Sequence, residues 1–545
     1  MAGNDSPRSP WLVIIVLATA QFVMVLDTTV MNVSISQVVK DLDTTVSQVQ
    51  LAITAYTLVM AAFMLTGGKL GDMFGRRRIF SIGLAIYGVG SLVTALSPNI
   101  TVLLVGWSFV EGLGATLVIP AIASLTAINY TGRQRAQAYG ILGGIAAAGA
   151  AAGPLIGGFV TTELTWRVVF GAETVIVLGI LLVARRIHDP HEARERPRLD
   201  VVGVLLSAVG LGLVVFGILK ASEWGFLRPS GALTIGGTKI TPFGFSAVPF
   251  VVAAGAVVVW LFFRWEERTE ARGRVPLLRP ALLGVQQLRS GLTMLSSQQL
   301  ILMGTFFVIP VYLQVVLLKD ALETGIAILP MSLTMIVAAL GGSRLSDRFS
   351  PRRLVQVGLA VLFVGLIGLM ATISPSLSSV EFGIAIGVFG FGIGLIVSQL
   401  GNVIMSSVDE TRASEAGGLQ GTAQNIGASL GTALIGAVLL TGLTSGFHDR
   451  IDANPAISQQ TKQQVVAKTP NGVPVVSEPE LRKALEQAGV SQTESDAIAS
   501  DYADAELRAL KTALLVASLM VFVALFVSRR LPGESLQAAA EPAAA

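Results

Sequence analysis

Long apolar runs recur along nearly the whole chain and alternate with short polar loops. Each run holds ~20 apolar residues, which is long enough for a helix to cross a bilayer. The runs begin near Trp11, Gln48, Ile79, Thr101, Tyr139, Val168, Val201, Gly244, Leu292, Thr324, Leu354, Val380, Ala416 and Ala509. This pattern predicts an all-α polytopic membrane protein with about fourteen helices in one membrane-embedded unit.

The composition supports a membrane protein. Of the 545 residues, 52% are hydrophobic and only 13% are charged, which is too little charge to cover a soluble surface of this size. The 58 glycines suit helices that pack closely in lipid, where small residues let backbones approach.

Several chemical activities are not expected. The chain has no cysteine, so disulfides, thiol catalysis and cysteine-bound zinc are excluded. No Gly-x4-Gly-Lys-Ser/Thr phosphate loop occurs, and the three histidines lie in loops without metal-ligand spacing. We therefore expect no enzyme, no cofactor and no metal, and energy taken from an ion gradient.

Arginines cluster in alternate loops, and this distribution predicts the orientation. If the N-terminus is cytoplasmic, the inner loops hold Arg76, Arg77, Arg78, Arg133, Arg135, Arg185, Arg186, Arg194, Arg196, Arg198, Arg344, Arg348, Arg352, Arg353, Arg529 and Arg530. A shift by one helix would place them all outside, against the positive-inside bias. Both termini are therefore predicted to be cytoplasmic, and the net charge of +3 indicates no nucleic-acid partner.

The loop between the second and third segments contains small and charged residues in a distinctive order. Its glycines let two helix ends approach, Asp72 can pair with an arginine or cap a helix, and the arginines face the inner leaflet. Membrane anchoring alone would explain the arginines but not the spacing of the others. The candidates are Gly68, Gly71, Asp72, Gly75, Arg76 and Arg77, with a degenerate second copy at Asp347 and Arg348.

This loop resembles the signature of the major facilitator superfamily. In that family the two copies hold the outward-open state, so the resemblance implies a conformational role for these residues.

The fifth segment carries six residues with the spacing Gly-x8-Gly-x3-Gly-Pro-x2-Gly-Gly, namely Gly140, Gly149, Gly153, Pro154, Gly157 and Gly158. The glycines expose a groove for a neighbouring helix, and Pro154 removes a backbone donor and bends the helix. Generic membrane packing is the alternative interpretation. The pattern resembles the antiporter motif of the superfamily, which is found in its exporters.

The first segment contains Leu26-Asp27-Thr28-Thr29-Val30-Met31-Asn32-Val33, similar to a signature of the 14-helix drug:proton antiporter family. The resemblance implies a major facilitator fold with two six-helix bundles and two additional transmembrane helices, in a bacterial cytoplasmic membrane. One departure is clear: where the family has a membrane-embedded arginine and a glutamine on the fourth helix, this chain has Ser108 and Glu111.

The expected domains follow from this likeness. Residues 11–184 form the N-terminal bundle, and residues 185–283 form a basic cytoplasmic linker with the two extra helices. Residues 284–530 form the C-terminal bundle, with an extracytoplasmic loop at 444–508 inserted before the last helix. This loop is either a lid or partner-docking element, or a solvated pair of amphipathic helices without a role in transport.

Three carboxylates are candidates for proton coupling: Asp27, Glu111 and Glu173. At ~1.5 Å per helical residue, all three fall between the bilayer midplane and the outer surface. Acidic residues inside a bilayer are costly and mark ion or proton routes. The alternative for each is a carboxylate hydrogen-bonded in helix packing, and we favour it for Glu173 because the sixth helix is peripheral in the family.

Polar residues on several helices are candidates for a substrate cavity: Asn32, Tyr312, Gln314, Gln399 and Asn402. Contacts between helices, worth ~0.6 kcal/mol each, are an equally good explanation for them.

The leading functional prediction is proton-coupled efflux of small lipophilic or cationic drugs by alternating access. We expect protons, a small lipophilic molecule and the lipid bilayer as partners, and a monomer. Two alternatives remain at this point: an exporter or flippase of a lipid or cell-envelope precursor, and a non-transporting receptor or scaffold.

Overall fold

A computed structural model describes residues 10–44, 46–187, 189, 199–227, 229, 233–235, 238–346, 348–409, 412–469 and 473–533. Arg194, Arg196, Arg198 and Asp347 lie outside these residues, as do the side chains of Asn32, Arg133 and Pro154. Among the described residues, 14 helices are long and apolar enough to cross a membrane. The predicted multi-pass, all-helical fold is thus confirmed.

The first half of the chain forms eight helical segments and one interruption. They are α1 (Pro10–Val33), α2 (Ile35–Asp41), α3 (Val46–Phe74), α4 (Arg76–Ala95), α5 (Ile100–Leu103), α6 (Gly112–Asn129), α7 (Gly132–Glu163) and α8 (Arg167–Ala184). A π-helical segment, Leu104–Glu111, joins α5 to α6 into one membrane span. Such segments are rare and frequent at functional sites.

Two further membrane helices, α9 (Val201–Trp224) and α10 (Val248–Ala271), follow and pack against each other. Between them lies a hairpin of β1 (Leu233–Ile235) and β2 (Thr238–Ile240), antiparallel with Leu233 opposite Ile240. This hairpin is the sole sheet in the described part of the chain.

The second half contains α11 (Gln286–Pro310), α12 (Ala321–Leu345), α13 (Pro351–Thr372), α14 (Ser379–Met405), α15 (Ala413–Ala453), α16 (Gln459–Lys468), α17 (Glu478–Gln487) and α18 (Gln492–Ser528). Helix α11 continues as a π-helical segment, Val311–Val316. The two halves meet where α7 packs on α12 and α14, and where α3 and α6 pack on α15.

The ninth membrane helix begins at Gln286, earlier than the hydrophobic pattern indicates. Its first turns are polar because they bind a neighbouring helix rather than lipid. Gln287 donates from Nε2 to the carbonyl of Val403 at 3.0 Å and to Oγ of Ser406 at 3.1 Å.

Residues 444–508 are largely helical, because α15 runs on to Ala453 and α18 already begins at Gln492. These two ends pack on each other: the rings of Phe447 and Tyr502 are 5.6 Å apart, and Arg450 pairs with Asp504 at 2.9 Å. Both ends of this segment are therefore continuations of the long helices α15 and α18.

The glycine motif of α7 lies directly against α1. A Cβ atom at Gly149 would stand 3.1 Å from the carbonyl oxygen of Phe22, and one at Gly153 would overlap the side chain of Thr29. Gly157 continues the same face, and Gly158 is also buried. At the other end of the motif, Gly140 faces α12, where its Cβ would lie 2.5 Å from that of Ser343.

We predict that Gly153→Ala destabilises the protein by ~1–3 kcal/mol, because an added methyl group must push α1 away. The matched control is Gly171→Ala on α8, where nothing lies within 4 Å of an added Cβ. Thermal unfolding in detergent measures both, and equal midpoints for the two variants would contradict close packing of α7 on α1.

Candidate functional site

Three membrane-embedded carboxylates form one cluster. Asp27 on α1 and Glu111 at the end of the π-helical segment are 0% exposed, and Glu173 on α8 is 1% exposed. One ligand oxygen of each lies within 4.8 Å of the other two. The structure therefore brings together the three acidic residues that the sequence picks out on separate helices.

Few hydrogen-bond donors reach the oxygens of this carboxylate cluster. The indole Nε1 of Trp107 donates to Oδ1 of Asp27 at 2.8 Å. Ser91 Oγ and the Tyr87 hydroxyl donate to Oε2 of Glu173, at 3.1 Å and 3.4 Å. Within the described residues, Oδ2 of Asp27, both carboxylate oxygens of Glu111 and Oε1 of Glu173 accept no hydrogen bond.

This geometry restricts the charge of the cluster. Three ionised carboxylates at such separations, buried and without cations among their described partners, would repel one another strongly. Burial of all three in the ionised form is therefore strongly unfavourable unless a proton or another cation neutralises them. The spacing of the carboxylate oxygens also suits a small cation.

A cavity of about 350 Å³ lies between the two halves of the chain. Its lining comes from α1, α3, α6 and α7 of the first half and from α11, α12, α14 and α15 of the second. Sites of this kind, between helices and with a few convergent polar groups, bind small molecules.

Two aromatic rings separate the cavity from the carboxylate cluster. Tyr56 lines the cavity and stacks on Trp107, with ring centroids 4.9 Å apart and an interplanar angle of 13°. Trp107 in turn binds Asp27. A change in protonation of Asp27 therefore acts on a residue that directly supports the cavity wall.

The loop between α3 and α4 contacts the second half of the chain at its arginine-rich side, the side where Arg76 begins α4. Arg76 pairs with Asp72 at 3.2 Å and donates from Nε to Oγ of Ser414, on α15, at 3.0 Å. Gly68 and Gly71 bring α3 close to the same residue, and an added Cβ at Gly68 would stand 2.5 Å from the Ser414 carbonyl oxygen.

The remaining members of this motif fix the loop itself. Gly75 has a φ of 95°, which favours glycine, and turns the chain from α3 into α4. Arg77 donates to the carbonyl of Ile187 at 3.2 Å, which ties the loop to the end of α8. In the second copy of the motif, Arg348 is exposed.

A buried ion pair reinforces this contact. Lys69 on α3 binds Glu415 on α15 at 3.3 Å, with side chains only 6% and 5% exposed. The backbone NH of Arg279, after α10, donates to the other oxygen of Glu415 at 3.3 Å. Both halves and the segment after the added helices thus meet at Glu415 on the arginine-rich side.

The sequence model of the Major Facilitator Superfamily matches residues 17–432. The chain belongs to this superfamily. Among its relatives, the tetracenomycin C resistance and export protein of Streptomyces glaucescens is 27% identical, over 81% of this chain and 78% of the relative. The puromycin resistance protein pur8 of Streptomyces alboniger is 29% identical, over 83% of this chain and 86% of the relative.

A solved structure shows the same fold. The human organic anion transporter MFSD10 (TETRAN) superposes with a TM-score of 0.58 at 11% identity, covering 96% of this chain and 100% of that one. The predicted family and fold are confirmed: the chain is a major facilitator transporter and not an enzyme, and transporters of this superfamily carry small molecules across membranes.

The predicted cavity residues require a correction. Tyr312, Gln314, Gln399 and Asn402 are absent from the lining. The Tyr312 hydroxyl donates to the carbonyl of Ser374 at 2.8 Å, and Gln399 donates from Nε2 to the carbonyl of Gly342 at 3.0 Å. Each of these two side chains bonds backbone outside its own helix, as the alternative of interhelical contacts expects.

Glu173 accepts hydrogen bonds from Ser91 and Tyr87 on α4, which agrees with the helix-packing interpretation favoured above, and it also joins the cluster. Although α8 packs only at the edge of the first half, against α4 and α1, its Glu173 side chain reaches the carboxylate cluster. Sequence reasoning missed Trp107 and Tyr56 entirely. Trp107 stands four residues before Glu111, a spacing that places both on one helical face. Ser108, at the position of the family's arginine, donates to the carbonyl of Ala52 at 2.7 Å.

We predict that Lys69→Met favours separation of the two halves at the arginine-rich side. The substitution leaves Glu415 buried without its cationic partner, which destabilises the conformation seen here by ~3–5 kcal/mol but not one in which the halves are apart. Since the chain lacks cysteine, Ser343→Cys provides a single reporter thiol at the contact with Gly140. Its labelling by a charged maleimide in detergent should accelerate in Lys69→Met.

Exchanging the two residues, Lys69→Glu with Glu415→Lys, should slow the labelling again. Glu267→Gln, which breaks the exposed pair with Arg264 on α10, serves as control and should leave the rate unchanged. Equal labelling rates in all four proteins would mean that the buried pair does not hold this side closed.

Proposed function

We propose that this chain exports a small lipophilic antibiotic in exchange for protons, by alternating access across a bacterial cytoplasmic membrane. The observation that carries the proposal is the position of the carboxylate cluster, which is connected to the cavity through the stacked rings of Trp107 and Tyr56. Such a position lets one site influence the other without sharing atoms with it.

The coupling follows from charge. A cluster that loses its protons accumulates negative charge in a buried setting, and a cluster that gains them becomes neutral. Because Asp27 accepts the Trp107 hydrogen bond, its protonation weakens that bond and frees the rings that support the cavity. By linkage, a substrate that prefers one arrangement of the rings must alter proton binding by the same factor.

The orientation and the cargo rest on two further arguments. The positive-inside bias favours a cytoplasmic location for the arginine-rich side and both termini, so the closed contact at Glu415 corresponds to an outward-facing state. The names of the two relatives describe resistance to antibiotics or their export, which supports an antibiotic as substrate. We propose a monomer as the working unit, because the cavity is formed within one chain.

We predict that Asp27→Asn abolishes proton release from energised inverted vesicles on addition of substrate, since the amide keeps the oxygen that binds Trp107 but cannot exchange a proton. Glu111→Gln and Glu173→Gln should each reduce the release at least tenfold, because the cluster titrates as a unit. Glu381→Gln, an exposed carboxylate at the start of α14, is the matched control and should behave as wild type.

The same vesicles separate the alternatives. Full release by Asp27→Asn would exclude this residue from coupling, and transport driven by a sodium gradient in place of a proton gradient would point to a metal cation in the cluster. Movement of labelled lipid in liposomes without antibiotic transport would instead support a lipid or envelope-precursor exporter.

A further inference from the structure

The cavity has two chemically different walls. The first half of the chain contributes mainly apolar side chains, among them Met24, Met60, Met64, Ile119 and Ile122. The second half also contributes apolar residues, Met303 and Met335 among them, but it supplies all but one of the lining amides, the other being Gln21 on α1. We call the amides of the second half the amide wall: Gln298, Gln299, Gln420, Gln424 and Asn425. None of the described residues that line the cavity carries a charge.

The amide wall has hydrogen-bonding capacity that the protein does not use. Oε1 of Gln420 is buried and has no hydrogen-bond partner. Asn425 donates from Nδ2 to the carbonyl of Gly421 at 2.9 Å, and Gln298 donates to Oε1 of Gln299 only at 3.4 Å. Gln420 and Gln424 stand four residues apart on α15 and therefore share one face. An amide both donates and accepts, so this wall can bind hydroxyl and carbonyl groups alike.

A cation in this cavity would lack a countercharge. Asp27 is not part of the lining: it is 0% exposed and binds Trp107, which stacks on the lining residue Tyr56. Removing an ion from water without an opposite charge is strongly unfavourable, and the faces of Tyr56 and Tyr139 offset only part of this through cation–π attraction. An uncharged ligand does not incur this cost of removing an unpaired charge from water. Methionine side chains are flexible and adapt to ring systems of different shape. The methionine-containing wall from the first half of the chain therefore suits flat apolar surfaces.

We propose that the cavity binds uncharged polycyclic or aromatic compounds that carry hydroxyl and carbonyl groups along one edge, and that it discriminates against permanent cations. The substituted edge of the ligand lies on the amide wall, with Gln420 as its principal partner. The apolar rings of the ligand lie against Met24, Met60 and Met64 of the first half. The cavity volume of about 350 Å³ is near the lower end for small-molecule sites, which fits a compact molecule of a few rings. The cellular role of this ligand class rests on the proposed export function, whereas binding of the ligand to the cavity can be tested without transport.

We therefore predict the outcome of an equilibrium-binding experiment on the purified full chain in detergent. Uncharged hydroxylated anthraquinones are titrated in one series, and ethidium and tetraphenylphosphonium in the other. Wild type should bind at least one anthraquinone at least tenfold more tightly than either cation. Gln420→Glu should reverse this order, because a carboxylate in the cavity supplies the missing countercharge and is costly to bury beside an uncharged ligand. Each tenfold change in affinity corresponds to about 1.4 kcal/mol.

Two variants make the result specific. Gln460→Glu introduces the same chemical change on the exposed face of α16, outside the cavity, and should keep the wild-type preference. Gln420→Met removes the polar groups without adding charge, and should weaken anthraquinone binding without creating cation binding. Thermal unfolding of each variant confirms that it is folded.

Equal or tighter binding of the cations by wild type would overturn the proposal, and so would failure of every anthraquinone to bind. An unchanged preference in folded Gln420→Glu would overturn the role given to the amide wall. Anthraquinone binding without proton-driven transport in vesicles would leave the ligand class standing while the export function fails.

Discussion

A charge that is buried away from water needs a partner, and this chain meets that requirement in two contrasting ways. Lys69 and Glu415 are buried as an ion pair of opposite charges that joins the two halves. Asp27, Glu111 and Glu173 are buried as like charges, with most of their oxygens free of hydrogen bonds within the described residues. The first arrangement is stable only while the halves stay together, and the second is stable only while protons or another cation neutralise it. Both therefore link ionic interactions to conformation.

Three features of the backbone bring the carboxylates of the cluster together. The π-helical segment Leu104–Glu111 alters the normal helical register just before α6, and it orients Trp107 and Glu111 towards α1 together. The glycine face of α7 lets α1 approach from the other side, so that Asp27 sits within reach of both. Gly90 on α4 leaves space for Glu111 itself, because a Cβ there would stand 2.6 Å from the Glu111 backbone nitrogen. Small residues and a local irregularity thus create the pocket that holds the cluster.

The sequence predicted what depends on hydrophobic length and on local spacing. It indicated fourteen spans, the loop chemistry around Asp72, the glycine face of α7 and three intramembrane acids at a similar depth. It could not predict what depends on how helices rotate against each other. Tyr312 and Gln399 are polar residues on apolar helices, and only their partners, Ser374 and Gly342, show that they bind backbone rather than a substrate. The amide wall was equally hidden, because it combines residues more than a hundred positions apart on α11 and α15.

The separation of the charged cluster from an uncharged cavity has an energetic consequence for the proposed exchange. If the cargo is uncharged, each proton that enters carries a net charge across the membrane, so both the proton gradient and the membrane potential drive export. The potential contributes ~2.3 kcal/mol per charge for each 100 mV. A monovalent cation as cargo would cancel one of these charges and lose that contribution. In the proposed exchange, a cavity without carboxylates would therefore allow export of an uncharged cargo to use the full electrochemical gradient, with proton binding assigned to the cluster and cargo binding to the cavity.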